Sequence, residues 1–244
     1  MLDLSILTIV YIALAAFFVG FSKTSVGGAG VIYVLLMALA FPGKASVGIL
    51  LPMLIVGDII AVIYYKRDCD WKIILKMFPL TALGVVLGYF IVDILSQEVF
   101  NVALGIVILI MLVLGHFLED RTLAKSSNKL VSNFVGLLAG MSSMLANAAG
   151  PLVSVYFLQL KLSKLVFVGT ASWYFLLLNL FKIPFSTNLG LINWDTLTLN
   201  LLYVPLILLG AYVGVKFLRK IDMKFFTLLV KIASLLVSIK LILF

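Results

Sequence analysis

Two stretches decide how this chain is built: Gly20-Phe21-Ser22-Lys23-Thr24-Ser25-Val26-Gly27-Gly28-Ala29-Gly30 and Gly140-Met141-Ser142-Ser143-Met144-Leu145-Ala146-Asn147-Ala148-Ala149-Gly150-Pro151. Each interrupts an otherwise apolar run. Three glycines within four residues in the first, and a Gly-Pro pair in the second, are poor material for a continuous helix. The flanking runs, 4–21 with 27–41 and 131–143 with 148–160, therefore read as two helical hairpins with tips inside a membrane. Sequence alone leaves open whether the arms span or stop short. A hairpin returns to its starting side in either case.

The membrane follows from composition. The 244 residues are 64% hydrophobic and 11% charged, with a mean hydropathy of +1.26. A soluble domain is about 45–50% apolar and about 25% charged, so this chain cannot cover itself against water. A bilayer core of ~30 Å takes about 20 helical residues, which allows roughly eight to ten membrane segments. Outside the hairpins, the runs 45–65, 73–93, 98–118, 164–184, 195–217 and 223–243 are each long enough to span. The expected fold class is an all-α polytopic membrane protein, a single transmembrane domain over 1–244. The start, Met-Leu-Asp-Leu-Ser, lacks the basic region of a cleavable signal, so the first apolar segment is expected to be retained. One cysteine, Cys69, excludes an internal disulfide and a cysteine-ligated metal. One histidine, His116, reads as interfacial. Neither a metal nor a cofactor is expected.

A net charge of +8 is explained by basic loops on the cytoplasmic side and calls for no nucleic-acid partner. With the N-terminus outside and each hairpin returning, that side collects Lys66, Arg67, Lys72, Lys76, Arg121, Lys125 and Lys129. Lys161, Lys164, Lys216, Arg219, Lys220 and Lys224 join them. The outer side keeps Lys44 and Lys182 with the acidic Asp3, Asp93, Glu98 and Asp195. Both termini are thus expected to be extracytoplasmic, in a multi-pass protein of the cell (inner or plasma) membrane.

The second half repeats the first. Gly20, Ser22 and Gly30 align with Gly140, Ser142 and Gly150; Lys44 aligns with Lys164. Asp70-Trp71 aligns with Asn193-Trp194, and Gly84 and Gly88 align with Gly210 and Gly214. Repeat 1 covers about 4–118 and repeat 2 about 131–243, joined by a cytoplasmic loop over 119–130. A hairpin plus three spans is an odd number of crossings, so the second unit enters from the opposite side. Inverted repeats with broken helices at equivalent positions are the architecture of many secondary transporters.

The break Gly20–Gly30, followed by Phe41-Pro42-Gly43-Lys44-Ala45 and Asp70-Trp71, resembles the sulfite exporter TauE/SafE family of membrane permeases. The resemblance is strongest over 17–95 and weaker over 136–218, where Asn147-Ala148-Ala149-Gly150 replaces Gly27-Gly28-Ala29-Gly30. It implies export or exchange of small sulfur-containing or carboxylate anions.

Candidate binding residues sit at the two tips. A helix starting after Ser25 or so points free N–H groups and a positive dipole end at the membrane centre. Gly27, Gly28 and Gly30 let an anion approach that backbone. In the second tip Pro151 suits a first helical turn, with Asn147 or Gly150 near the cap. Ser22, Thr24, Ser25, Ser142 and Ser143 offer hydroxyl donors, although such hydroxyls more often bond their own backbone. Lys23 either snorkels to the cytoplasmic face or is a buried cation; its repeat partner is Ser143. Asp58, within 45–65, is either a proton carrier or a neutraliser of Lys23, and the matching region of the second repeat offers Asn179. Gly84/Gly88 and Gly210/Gly214 read as close-packing positions.

The leading expectation is a secondary transporter, an exporter of sulfite, organosulfonate or related anions, alternating around a midplane site at the two tips. The alternative is a passive anion channel, or a permease for another small solute. No Walker motif, H-E-x-x-H or G-x-S-x-G is present, which argues against direct ATP drive and against an enzyme. The expected partners are a small anion and the lipid bilayer; a homo-oligomer is left open.

Overall fold

A computed structural model describes residues 5–25, 30–41, 43–96, 98–100, 129–160 and 162–217, with scattered positions between 102 and 110. The described residues are helical, with no strand among them. Helix α1 runs Ile6–Thr24, α2 Gly30–Ala40, α3 Lys44–Tyr65 and α4 Trp71–Ile94. After the intervening segment come α5, Lys129–Ala146, α6, Gly150–Gln159, α7, Lys164–Asn188, and α8, Trp194–Phe217. Five of these, α1, α3, α4, α7 and α8, are long and apolar enough to cross a membrane. The expected spans 223–243 and most of 98–118 lie outside the described residues, as does most of the loop 119–130.

Both breaks are present. Helix α1 ends at Thr24 and α5 at Ala146, where Asn147 takes a positive φ of 51°. Asparagine tolerates that left-handed conformation because its short amide bonds locally. The Asn147 N–H then donates to the Ser143 carbonyl, closing the helix with an αL-type cap, and the Ala148 N–H donates to the Ser142 carbonyl. The return arms are short. With 11 residues α2 measures about 16 Å and with 10 residues α6 about 15 Å, half of a ~30 Å hydrocarbon core. Pro151 falls in the first turn of α6, where its missing N–H costs nothing.

Residues that align between the two halves begin equivalent helices. Lys44 opens α3 and Lys164 opens α7; Trp71 opens α4 and Trp194 opens α8. Asp70 caps α4 by accepting from the Lys72 N–H, and Asn193 caps α8 by accepting from the Thr196 N–H. The halves are interlocked through exchanged contacts. Helix α1 packs along α8, while α5 packs along α4. A Cβ on Gly20 would strike the Ile207 carbonyl oxygen of α8, and one on Gly140 the Thr81 carbonyl oxygen of α4. Reciprocally, Gly210 lies against the Phe17 carbonyl and Gly84 against the Leu137 carbonyl. The glycines read as close-packing positions thus serve that role.

Two apolar clusters fill the interior of the described residues. One joins α1, α2 and α3 with Val92, Leu145 and Ile207; the other joins α4 to α7 around Met77, Phe157 and Tyr174. Apolar side chains such as Ile6, Leu75, Ile94, Leu201 and Trp194 face outward, as lipid demands.

Candidate functional site

Between the two breaks lies an open pocket enclosing about 540 Å³ of space, mouth included. From the first break and α2 it is lined by Ser22, Lys23, Ser25 and Tyr33; from the second, by Ser143, Asn147, Ala149 and Gly150. Asp58 of α3 and Phe175 and Asn179 of α7 close its sides. Of the candidate residues, then, Ser22, Lys23, Ser25, Asp58, Ser143, Asn147 and Gly150 share one cavity.

Lys23 is the buried cation. Its side chain is 8% exposed, and its Nζ lies 2.7 Å from Asp58 Oδ1 and 4.6 Å from the centre of the Phe175 ring. Room for its stem comes from Gly57, where a Cβ would lie 3.2 Å from Lys23 Cγ and 2.9 Å from Val19 Cγ1. The other carboxylate oxygen, Oδ2, accepts from Asn179 Nδ2 at 2.7 Å. A lone ion inside a membrane protein costs at least a few kcal/mol, and pairing is how such a charge is retained.

The remaining candidates divide. Thr24 turns away from the pocket: its hydroxyl donates to the carbonyls of Gly20 and, at 2.9 Å, Ala211, tying α1 to α8. Ser142 donates to the Ala139 carbonyl at 3.2 Å. Ser25 lines the pocket but spends its proton on the Phe21 carbonyl, 2.6 Å away. The expectation of hydroxyls aimed at an anion is therefore corrected for Thr24, Ser25 and Ser142, whose protons go to backbone carbonyls. Ser22 lines the pocket, and its hydroxyl has no hydrogen-bond partner among the described residues. Gly30 opens α2 beside the Tyr33 hydroxyl; Gly27 and Gly28 lie outside the described residues.

One residue assigned to the outer surface belongs here instead. Lys182 is fully buried in α7, and its Nζ donates to the Ser143 carbonyl at 2.6 Å, Ser143 Oγ at 3.1 Å and Asn147 Oδ1 at 2.5 Å. It sits at the C-terminal end of α5, where unsatisfied carbonyls and the negative end of the dipole favour a cation. The signal was present: Phe175, Asn179 and Lys182 fall at i, i+4 and i+7, one face of a helix. Asn147 is fixed further by donating from Nδ2 to the Val47 carbonyl at 3.0 Å.

The wall therefore offers an anion several things at once. The first turn of α6 begins at Gly150 with backbone N–H groups that have no partner inside the helix. Ser22, Tyr33 and the Asp58-paired Lys23 line the same pocket. Among the described residues no group of histidine, cysteine or acidic side chains is arranged to hold a metal. No curated protein and no solved structure matches the chain. Residues 12–241, nearly its whole length, match the family described as Sulfite exporter TauE/SafE, and with its multi-pass apolar helices and doubly broken centre the chain belongs to that family of membrane transporters.

Proposed function

We propose that the protein is a secondary transporter exporting small sulfur-containing anions, sulfite or an organosulfonate, by alternating access around the pocket between the two breaks. The observation that carries this reading is the pocket itself: residues of both helix breaks line one cavity, where Lys23, Asp58, Asn147 and Asn179 stand among apolar side chains. Broken backbone at membrane depth is tolerated where it lines a cavity, and in transporters it lies where substrate binds. The exchanged packing of α1 on α8 and α5 on α4 supports two inverted repeats within one transmembrane domain. Under that topology each hairpin rests on a helix of the other repeat, so rocking the repeats exposes the tips to alternate sides. The basic loops orient the protein with both termini outside, in the cell membrane. An inside-negative potential then favours anion efflux.

The test is flux in proteoliposomes loaded with sulfite, a small sulfonate, sulfate or acetate, each with and without an imposed pH gradient. Saturable movement of sulfite or the sulfonate is expected. Linear, non-saturating flux would replace the carrier by a channel, and no flux of any anion from folded protein would overturn the reading.

A further inference from the structure

Charge accounting around the pocket gives an unexpected answer to which residue makes it attractive to anions. Three described side chains carry formal charge there: Lys23, Asp58 and Lys182. Lys23 is cancelled by the Asp58 carboxylate 2.7 Å away. Lys182 faces only neutral oxygens, three of them, and an ammonium has three protons to give. Those oxygens belong to Ser143 and Asn147, both of which line the pocket. Its charge therefore stands one side chain behind the wall, in surroundings where little water screens it.

We propose that Lys182, acting through Ser143 and Asn147, supplies the uncompensated positive charge that selects an anion, while Lys23 and Asp58 form a neutral unit. The inference rests on the anion-transport reading of the same pocket. Lys182 is a positioning residue: it sets the potential and orients the Ser143 hydroxyl and the Asn147 amide without touching substrate. Removing Lys23 alone leaves Asp58 to cancel Lys182, whereas removing both charges leaves the described side chains around the pocket at +1.

Uptake of radiolabelled sulfite by proteoliposomes decides the matter, with wild type showing first that sulfite moves at all. Lys182→Gln keeps a donor for the end of α5 and drops the charge; a KM raised at least tenfold is expected. Adding Asp58→Asn to it restores the net +1 and should bring KM back towards wild type, a rescue that a purely structural capping role cannot produce. The double variant Lys23→Gln/Asp58→Asn leaves Lys182 in place, so it remains decisive if Lys182→Gln fails to fold. Its sulfite KM should fall at least tenfold below that of Lys23→Gln alone, in which the unpaired Asp58 cancels Lys182. A KM in that folded double variant no lower than in Lys23→Gln, with wild type active, would overturn the role of Lys182 and leave the transport reading standing. Wild type that moves no sulfite or other anion would remove both.

Discussion

At the scale of single residues, the sharpest consequence concerns Lys23. Its removal takes from the Asp58 carboxylate its contact cation, leaving the Asn179 amide as its hydrogen-bond partner among the described residues. Breaking a buried pair by deleting one partner costs about 3–5 kcal/mol, because an uncompensated charge remains. Lys23→Ala should therefore lower thermal stability and cut anion flux at least tenfold while still inserting; Lys23→Arg should retain part of the flux. Normal flux in a stable Lys23→Ala protein would remove the residue from the site. Cys69 makes a milder prediction. It lies between α3 and α4, and partial burial, with Asp70 beside it, pushes its thiol up to about 11 from 9.0. Only the thiolate reacts, so at neutral pH roughly a hundredfold less of it is available than for a free thiol. Maleimide labelling should be slow at pH 7 and accelerate steadily up to pH 10; fast labelling at pH 7 would contradict that environment. Lys23 and Asp58 were legible in the sequence because charges stand out inside apolar runs. Lys182 reads as an outer-surface residue for a physical reason: it falls near the end of the apolar run 164–184, where lysines snorkel. Helix α7 continues to Asn188, which carries Lys182 inward rather than out.

Among elements, the interlock of hairpins with opposite-half helices is the feature most open to test. Gly20 and Gly140 allow backbones to touch where α1 meets α8 and α5 meets α4. A side chain there has backbone, not a flexible chain end, in its way, so the helices must separate along their contact. Overpacking ordinarily costs ~1–3 kcal/mol, and a collision with main chain belongs at the upper end. Gly20→Val and Gly140→Val should each lower the melting temperature of detergent-purified protein and reduce flux together. Gly190→Ala has no neighbouring atom to meet and should disturb packing least, its cost confined to the strained φ of 69°. Equal melting temperatures for Gly20→Val and wild type would show that α1 and α8 do not touch there. The breaks themselves were legible, since clustered glycine and Gly-Pro leave few alternatives. The shortness of α2 and α6 was not. Hydropathy marks 27–41 and 148–160 as apolar throughout, and only hydrogen bonding decides where within such a run a helix begins.

For the whole molecule, the decisive quantity is the side of the membrane on which equivalent loops emerge. Residues 66–70 connect α3 to α4, and 189–193 connect α7 to α8, at matching places in the two halves. Each loop nestles on a glycine of the other half: Gly169 lies against the Asp68 and Tyr65 carbonyls, and Gly48 against the Leu191 carbonyl. Internal duplication alone is compatible with parallel or inverted halves. The loops differ in basic residues, however, with Lys66 and Arg67 in the first and none within 189–193. Basic loops stay cytoplasmic, so an inverted arrangement puts 66–70 inside and 189–193 outside. Arg67 in the first loop and Asn188, the last residue of α7, are exposed and suit cysteine replacement in a Cys69→Ser background. In intact cells, a membrane-impermeant maleimide should label Asn188→Cys and leave Arg67→Cys unmodified until the membrane is opened. Labelling of both from the same side would make the halves parallel. Two tips approaching one pocket from opposite faces would then be lost, and with them alternating access by exchange between equivalent repeats.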